Sequence, residues 1–134
     1  MNEHLLQLQP ATVWSYFKEI LEIPRPSKKE EKIVAYLLDF GKEHHLETLQ
    51  DEIGNVLIRK PATPGFENRR SVVLQSHMDM VCEKNSDKIH DFDKDPIDTF
   101  IKEGWVYANG TTLGADDGIG IAAQMALLAA KDIE

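Results

Sequence analysis

The chain has 134 residues, 42% of them hydrophobic and 28% charged, enough apolar matter for one buried core in an ordinary soluble unit. A net charge of −8 and a pI near 5.1 exclude a nucleic-acid partner, which needs a basic face against phosphate. No stretch reaches the roughly 18 apolar residues of a membrane span, Met1-Asn2-Glu3-His4 lacks the basic-then-apolar pattern of a secretory signal, and Cys82, the single cysteine, has no internal disulfide partner, so the reading is cytoplasmic with no membrane partner.

The first predicted element is a helix over about 10–22, with Val13, Phe17, Ile20 and Leu21 on one face, Trp14 beside them and Pro24 as the stop. Ser27 with Glu30 matches a capping box, and Ile33, Leu37, Phe40 and His44 follow at helical spacing, which predicts a second helix over 27–44. His44 and His45 read as favourable charges at its C-terminus when protonated. Residues 46–50 and 55–60 read as strands joined by Asp51-Glu52-Ile53-Gly54, and 61–70 as a polar loop.

Ser71-Val72-Val73-Leu74-Gln75-Ser76-His77-Met78-Asp79 comes next, and its unalternating apolar run predicts a strand covered on both faces. Helices before and after it predict an α/β fold, a three-layer α/β/α sandwich on a mixed, largely parallel sheet, with Val72 to Leu74 on a central strand. Such sheets place ligand sites at strand C-termini, where His77 and Asp79 fall two residues apart and on one side. A neutral imidazole is a preferred zinc ligand whose other ring N–H commonly goes to a carboxylate, the part Asp79 can play. Cys82 just beyond is read as a packed thiol, since no histidine partner for a nucleophile is identifiable.

Asp91, Asp93 and Asp95 alternate like the opening of a calcium loop, but Pro96 stands where glycine is required and Lys102 where glutamate is, so the segment reads as a solvated acidic loop with His90 at the surface. Residues 97–101 and 105–107 around Glu103-Gly104 predict a second hairpin. From Gly118, Ile119, Ala122, Ala123, Ala126, Leu127 and Ala130 predict an almost wholly apolar helix whose small residues suit close packing on a sheet. Before it lies Gly114-Ala115-Asp116-Asp117-Gly118. Helix capping explains one of these aspartates but not the pair, whereas a two-metal hydrolytic site needs a carboxylate that offers one oxygen to each cation.

Gln-Ser-His-Met-Asp-Met-Val at 75–81, His-Asp-Phe-Asp-Lys-Asp-Pro-Ile-Asp at 90–98 and Gly-Thr-Thr-Leu-Gly-Ala-Asp-Asp-Gly-Ile-Gly at 110–120 resemble the N-terminal part of bacterial aminoacyl-histidine dipeptidases, carnosinase-like members of the di-zinc exopeptidase and deacylase superfamily. The resemblance runs from Trp14 to Ala130. It implies two zinc ions, with cobalt or manganese as substitutes, bound to His77 and Asp116: His77 on the first zinc, Asp116 bridging both, and Asp79 as the catalytic-site residue orienting His77. It gives Asp117 no metal role, and a cis peptide bond between Asp116 and Asp117. It also implies a small peptide substrate, Xaa-His dipeptides included, a cytoplasmic location and a homodimer at full length. On the same resemblance the general-base glutamate and the remaining ligands follow the helix after Asp117 and the lid or dimerisation domain is absent, so residues 1–134 are expected to be the front of a catalytic domain, inactive alone. A tripeptide aminopeptidase or an amino-acid deacylase fits the same front-half ligands. A non-catalytic module, with His77 and Asp116 merely capping strand and helix ends, stands as the alternative of another class. Geometry separates it: convergence of His77 and Asp116 with Asp79 on the other ring nitrogen marks a prebuilt site, and diverging side chains mark the module.

Overall fold

Apolar side chains at helical spacing form α1 over Ala11–Leu21 and bury Phe17, Ile20 and Leu21, in a computed structural model that describes residues 1–133. A short 3₁₀ turn, Glu3–Gln7, precedes it, and Asn2 ties this end to the second hairpin by donating to the Ile97 carbonyl and accepting from the Thr99 N–H and hydroxyl. The second helix, α2, spans Glu31–Glu43 and buries Ile33, Val34, Leu37 and Phe40. It starts four residues later than the capping box predicts, because the Ser27 hydroxyl bonds elsewhere and the Glu30 carboxylate accepts from the Lys28 N–H rather than from a helix-start donor. His44 caps the other end against the Phe40 ring.

Strands β1, Glu47–Gln50, and β2, Val56–Arg59, pair antiparallel and lie against α2. Gly41 makes that approach possible, since a Cβ there would meet Thr48 Oγ1 at 1.9 Å. A second antiparallel hairpin joins β3, Thr99–Lys102, to β4, Trp105–Ala108. Its two-residue turn puts Glu103 at φ 53° and Gly104 at φ 80°, the paired positive angles of a turn whose twist matches the strands. Both sheets of the described residues are two-stranded.

The last helix, α3, covers Ala115–Ala129 with a break at Asp116 and Asp117, so its regular path begins at Gly118, as predicted. Its small-residue face packs on α1 rather than on a sheet. Ile121, Ala122 and Met125 meet Phe17, Ile20 and Leu21 in a core that Leu5, Ile33, Leu37, Phe40, Met80 and Ile97 complete. Lys60 covers the end of α3 by donating from Nζ to the carbonyls of Leu127, at 2.9 Å, and Ala130. The described residues thus form an α/β structure of a 3₁₀ turn, three α-helices and two hairpins.

The central strand predicted at 72–74 does not form. Val72, Val73 and Leu74 are 80%, 82% and 52% exposed and lie outside any strand. A strand exists only through a ladder with its neighbours, and the described residues offer this region a single parallel bridge, Pro26 with Met80. Neither a largely parallel sheet nor a double cover is present among them.

Candidate functional site

Three segments meet at the site. Residues 77–80 approach from the loop that replaces the expected strand, 114–118 from the start of α3, and 25–27 from the connection between α1 and α2. Arg25 holds the first two together from below. Its guanidinium, 1% exposed, donates through one terminal nitrogen to the carbonyls of Met78 at 2.9 Å and Asp79 at 3.1 Å, and through the other to Gly114 at 2.6 Å. Burial pushes its pKa below the ordinary value, opposed by the charges of Asp79, Cys82 and Asp117. A Cβ on Gly114, at φ 71°, would lie 2.7 Å from that second nitrogen and one on Gly118 2.6 Å, so both glycines leave the guanidinium its place. Met80 N–H donates back to the Arg25 carbonyl at 3.0 Å.

On this frame the His77 ring lies between two carboxylates. Nδ1 is 3.0 Å from Asp79 Oδ1, and Nε2 is 2.9 Å from Asp116 Oδ1. The expectation that His77 and Asp79 share a side therefore holds without a strand to enforce it, because Arg25 fixes the intervening backbone. His77 is held with its pKa above the usual imidazole value, first by the bond to Asp116; burial opposes this next, and Asp79 adds to the rise. Asp79 is held below the usual carboxylate range, chiefly by the Ser27 hydroxyl, which donates to its Oδ2 at 2.5 Å, and also by His77. Asp116 is 94% exposed and offers Oδ1 to His77 only. The Asp116–Asp117 peptide is cis.

Imidazole nitrogen and carboxylate oxygen are the donor types zinc accepts, and here one of each converges from opposite segments with both side chains open to solvent. The donor chemistry fits a divalent cation. It supplies two donors, and no group of three or more His, Cys, Asp or Glu residues gathers around such a point among the described residues. A proton on Nε2 and a metal ion compete for the same lone pair.

The other titratable candidates lie elsewhere. Cys82 is partly packed, with its thiol donating to the Met80 carbonyl at 3.6 Å and its pKa raised by burial. The acidic loop at 91–95 is anchored by lysines: Lys29 Nζ reaches Asp93 Oδ2 at 2.7 Å and Lys32 Nζ the Asp93 carbonyl at 2.7 Å. His90 packs edge-on against Phe92. Sequence reasoning missed Arg25 and Ser27. Arg25 carries no signal in its neighbourhood beyond Pro24 and Pro26, and the Ser27 signal was present but assigned to the wrong partner.

No protein-family model matches the chain. Over 129 residues it is 51% identical to the cytosol non-specific dipeptidase of Escherichia coli K12, a match covering 96% of this chain and 27% of that protein. The crystal structure of aminoacylhistidine dipeptidase from Vibrio alginolyticus superposes with a TM-score of 0.96 at 49% identity, over 99% of this chain and 27% of that one. In sequence and fold this chain matches the aminoacyl-histidine dipeptidases. It spans about a quarter of the length of each of these relatives. A tripeptidase from Staphylococcus aureus shares the fold, with a TM-score of 0.64 at 23% identity over 87% of this chain and 31% of that one. The dipeptidase match takes in the blocks at 75–81, 90–98 and 110–120 on which the sequence resemblance rests.

Proposed function

We propose that this chain is the N-terminal part of the catalytic domain of a cytoplasmic two-zinc dipeptidase that cleaves short peptides, Xaa-His dipeptides among them. The observation that carries the reading is the His77 ring held between Asp79 on Nδ1 and Asp116 on Nε2. His77 would hold the first zinc through Nε2. Asp116 would bridge to the second, for which its exposed carboxylate has a free oxygen. Asp79 keeps the Nδ1 proton in place and so presents the Nε2 lone pair outward. When bound, the zinc pair supplies a Lewis acid for the scissile carbonyl and a water acidic enough to ionise near neutral pH.

The likeness to the aminoacyl-histidine dipeptidases supports the substrate class, and the first relative's name supports the cytosolic location. The three-layer α/β/α sandwich with a mixed sheet, a lid or dimerisation domain outside these residues and a homodimer belong to the same proposal, supported by the span of those relatives beyond this chain.

A catalytic zinc normally takes three protein ligands, and the donors assigned here are His77 and Asp116 for one ion and Asp116 alone for the other. The 134-residue chain is therefore expected to bind zinc at no more than one weak site and to leave carnosine intact. Calorimetric zinc titration with a parallel carnosine hydrolysis assay tests this. Weak binding that disappears in His77→Ala and in Asp116→Ala is the expected result. Two tight sites, or turnover that His77→Ala abolishes, would overturn the ligand count; binding unaffected by His77→Ala would overturn the assignment of His77.

A further inference from the structure

We propose that Ser27 is a positioning residue for the site: its hydroxyl locks the Asp79 carboxylate, and through it the His77 ring, in the orientation that meets Asp116. The proposal rests on the reading of His77 and Asp79 given above and adds a group from a different segment of the chain. Ser27 sits where a helix cap is expected, yet α2 begins at Glu31 and its start has no side-chain cap. The hydroxyl has instead a carboxylate oxygen at 2.5 Å, against a second acceptor, the Met80 carbonyl, at 3.4 Å. A hydroxyl has one proton to donate, and the short bond to a charged acceptor takes it.

The two oxygens of Asp79 are then divided between two partners, Oδ2 to Ser27 and Oδ1 to His77 Nδ1. This division matters because the terminal torsion of an aspartate is broad, so a carboxylate with one partner swings through a wide arc. A second bond on the opposite oxygen narrows that arc. Asp79 needs the help, as its side chain is one-third exposed and packing alone does not hold it. Ser27 is itself held at the correct height: the Pro26–Met80 bridge, the Met80 N–H bond to the Arg25 carbonyl and the Arg25 guanidinium on the Met78 and Asp79 carbonyls lay residues 25–27 alongside 78–80. The hydroxyl therefore transmits a backbone alignment to a side-chain torsion.

The test uses the metal-free 134-residue chain. Ser27 is exposed, so Ser27→Ala is expected to leave the amide spectrum away from the site unchanged. Solvent exchange of the His77 Nδ1 proton, followed by NMR, reads its hold on Asp79, whose carboxylate lies at 3.0 Å and whose backbone carbonyl, which Ser27 does not touch, lies at 3.1 Å. Ser27→Ala is expected to speed this exchange and broaden the ring resonances, and Ser27→Thr, which keeps the hydroxyl, to restore both. Zinc affinity is expected to fall by about tenfold in Ser27→Ala and to return in Ser27→Thr, the lower end of what partners of metal ligands contribute. Nδ1–H exchange and ring shifts identical in Ser27→Ala and the parent would overturn the proposal, whatever the zinc result. Zinc binding unaffected by His77→Ala would instead overturn the metal reading, and the exchange measurement would still decide the part played by Ser27.

Discussion

Arg25 shows how a charged side chain becomes structural. Its three bonds go to backbone carbonyls of two separate segments, and its Nε is buried without a partner among the described residues. Burying a guanidinium is costly, but leaving three part-buried carbonyls unpaired would cost up to about 1–3 kcal/mol each. For Arg25→Met, similar in length and without donors, relief of the buried charge offsets only part of that loss. Chemical denaturation is expected to show a net destabilisation of about 2–4 kcal/mol. A loss below about 1 kcal/mol would mean that water reaches those carbonyls and that the clamp contributes little. The site should loosen with it, because the 77–80 and 114–118 segments lose a side chain that bonds to both.

At the level of elements, the β1–β2 hairpin depends on one carboxylate. Asp51 Oδ1 accepts from the N–H groups of Ile53, Gly54 and Asn55, at 3.0, 2.9 and 2.8 Å, while Oδ2 accepts from Asn55 Nδ2 at 2.6 Å. The Asn55 side chain, followed by these backbone donors, holds Asp51 below the usual carboxylate range. A group whose folded pKa is depressed contributes stability that is complete above its unfolded pKa, about 3.9, and is lost as the pH falls through the lower folded value. Amide exchange at Ile53, Gly54 and Asn55 should thus be slow, relative to the intrinsic rate, near pH 6 and lose that protection as the pH is taken down through the lowered folded value, while the turn of the second hairpin, which uses no carboxylate, changes less. Asp51→Asn should remove the pH dependence. Protection of 53–55 that stays unchanged throughout the acid titration would show that the turn holds without the charge.

For the whole molecule, the notable quantity is the apolar surface left uncovered. Val72, Val73 and Val81 are 80%, 82% and 67% exposed, and Trp105 on the second hairpin is 70% exposed. Exposed apolar side chains favour association, since contact removes them from water. Sedimentation velocity of the chain over a range of concentrations is expected to show reversible self-association, weakened in Val72→Lys/Val73→Lys. A monomer at every concentration would show that this surface is too dispersed to pair.

Sequence determined the local structure. The Glu103-Gly104 turn, α1 and the regular start of α3 at Gly118 follow from interactions within a few residues, which any chain with those residues would make. Candidate site residues were legible as chemical types, and the dipeptidase resemblance pointed to His77, Asp79 and Asp116 together. Tertiary structure decided the rest. The Ser27 hydroxyl could serve the start of the helix that follows it or a carboxylate 52 positions away, and both uses look identical in sequence. The run at 72–74 has the composition of a buried strand, but a strand needs a ladder, and pairing is a property of neighbours rather than of the run itself. His77 and Asp116 stand 39 positions apart and meet where a buried arginine bonds to both of their segments and Thr112 bonds to Val81 and Glu83 beside them. Local preferences act over a turn or two of chain, whereas contacts across the fold depend on which distant backbone groups are left to be satisfied, and the order of residues alone does not state that.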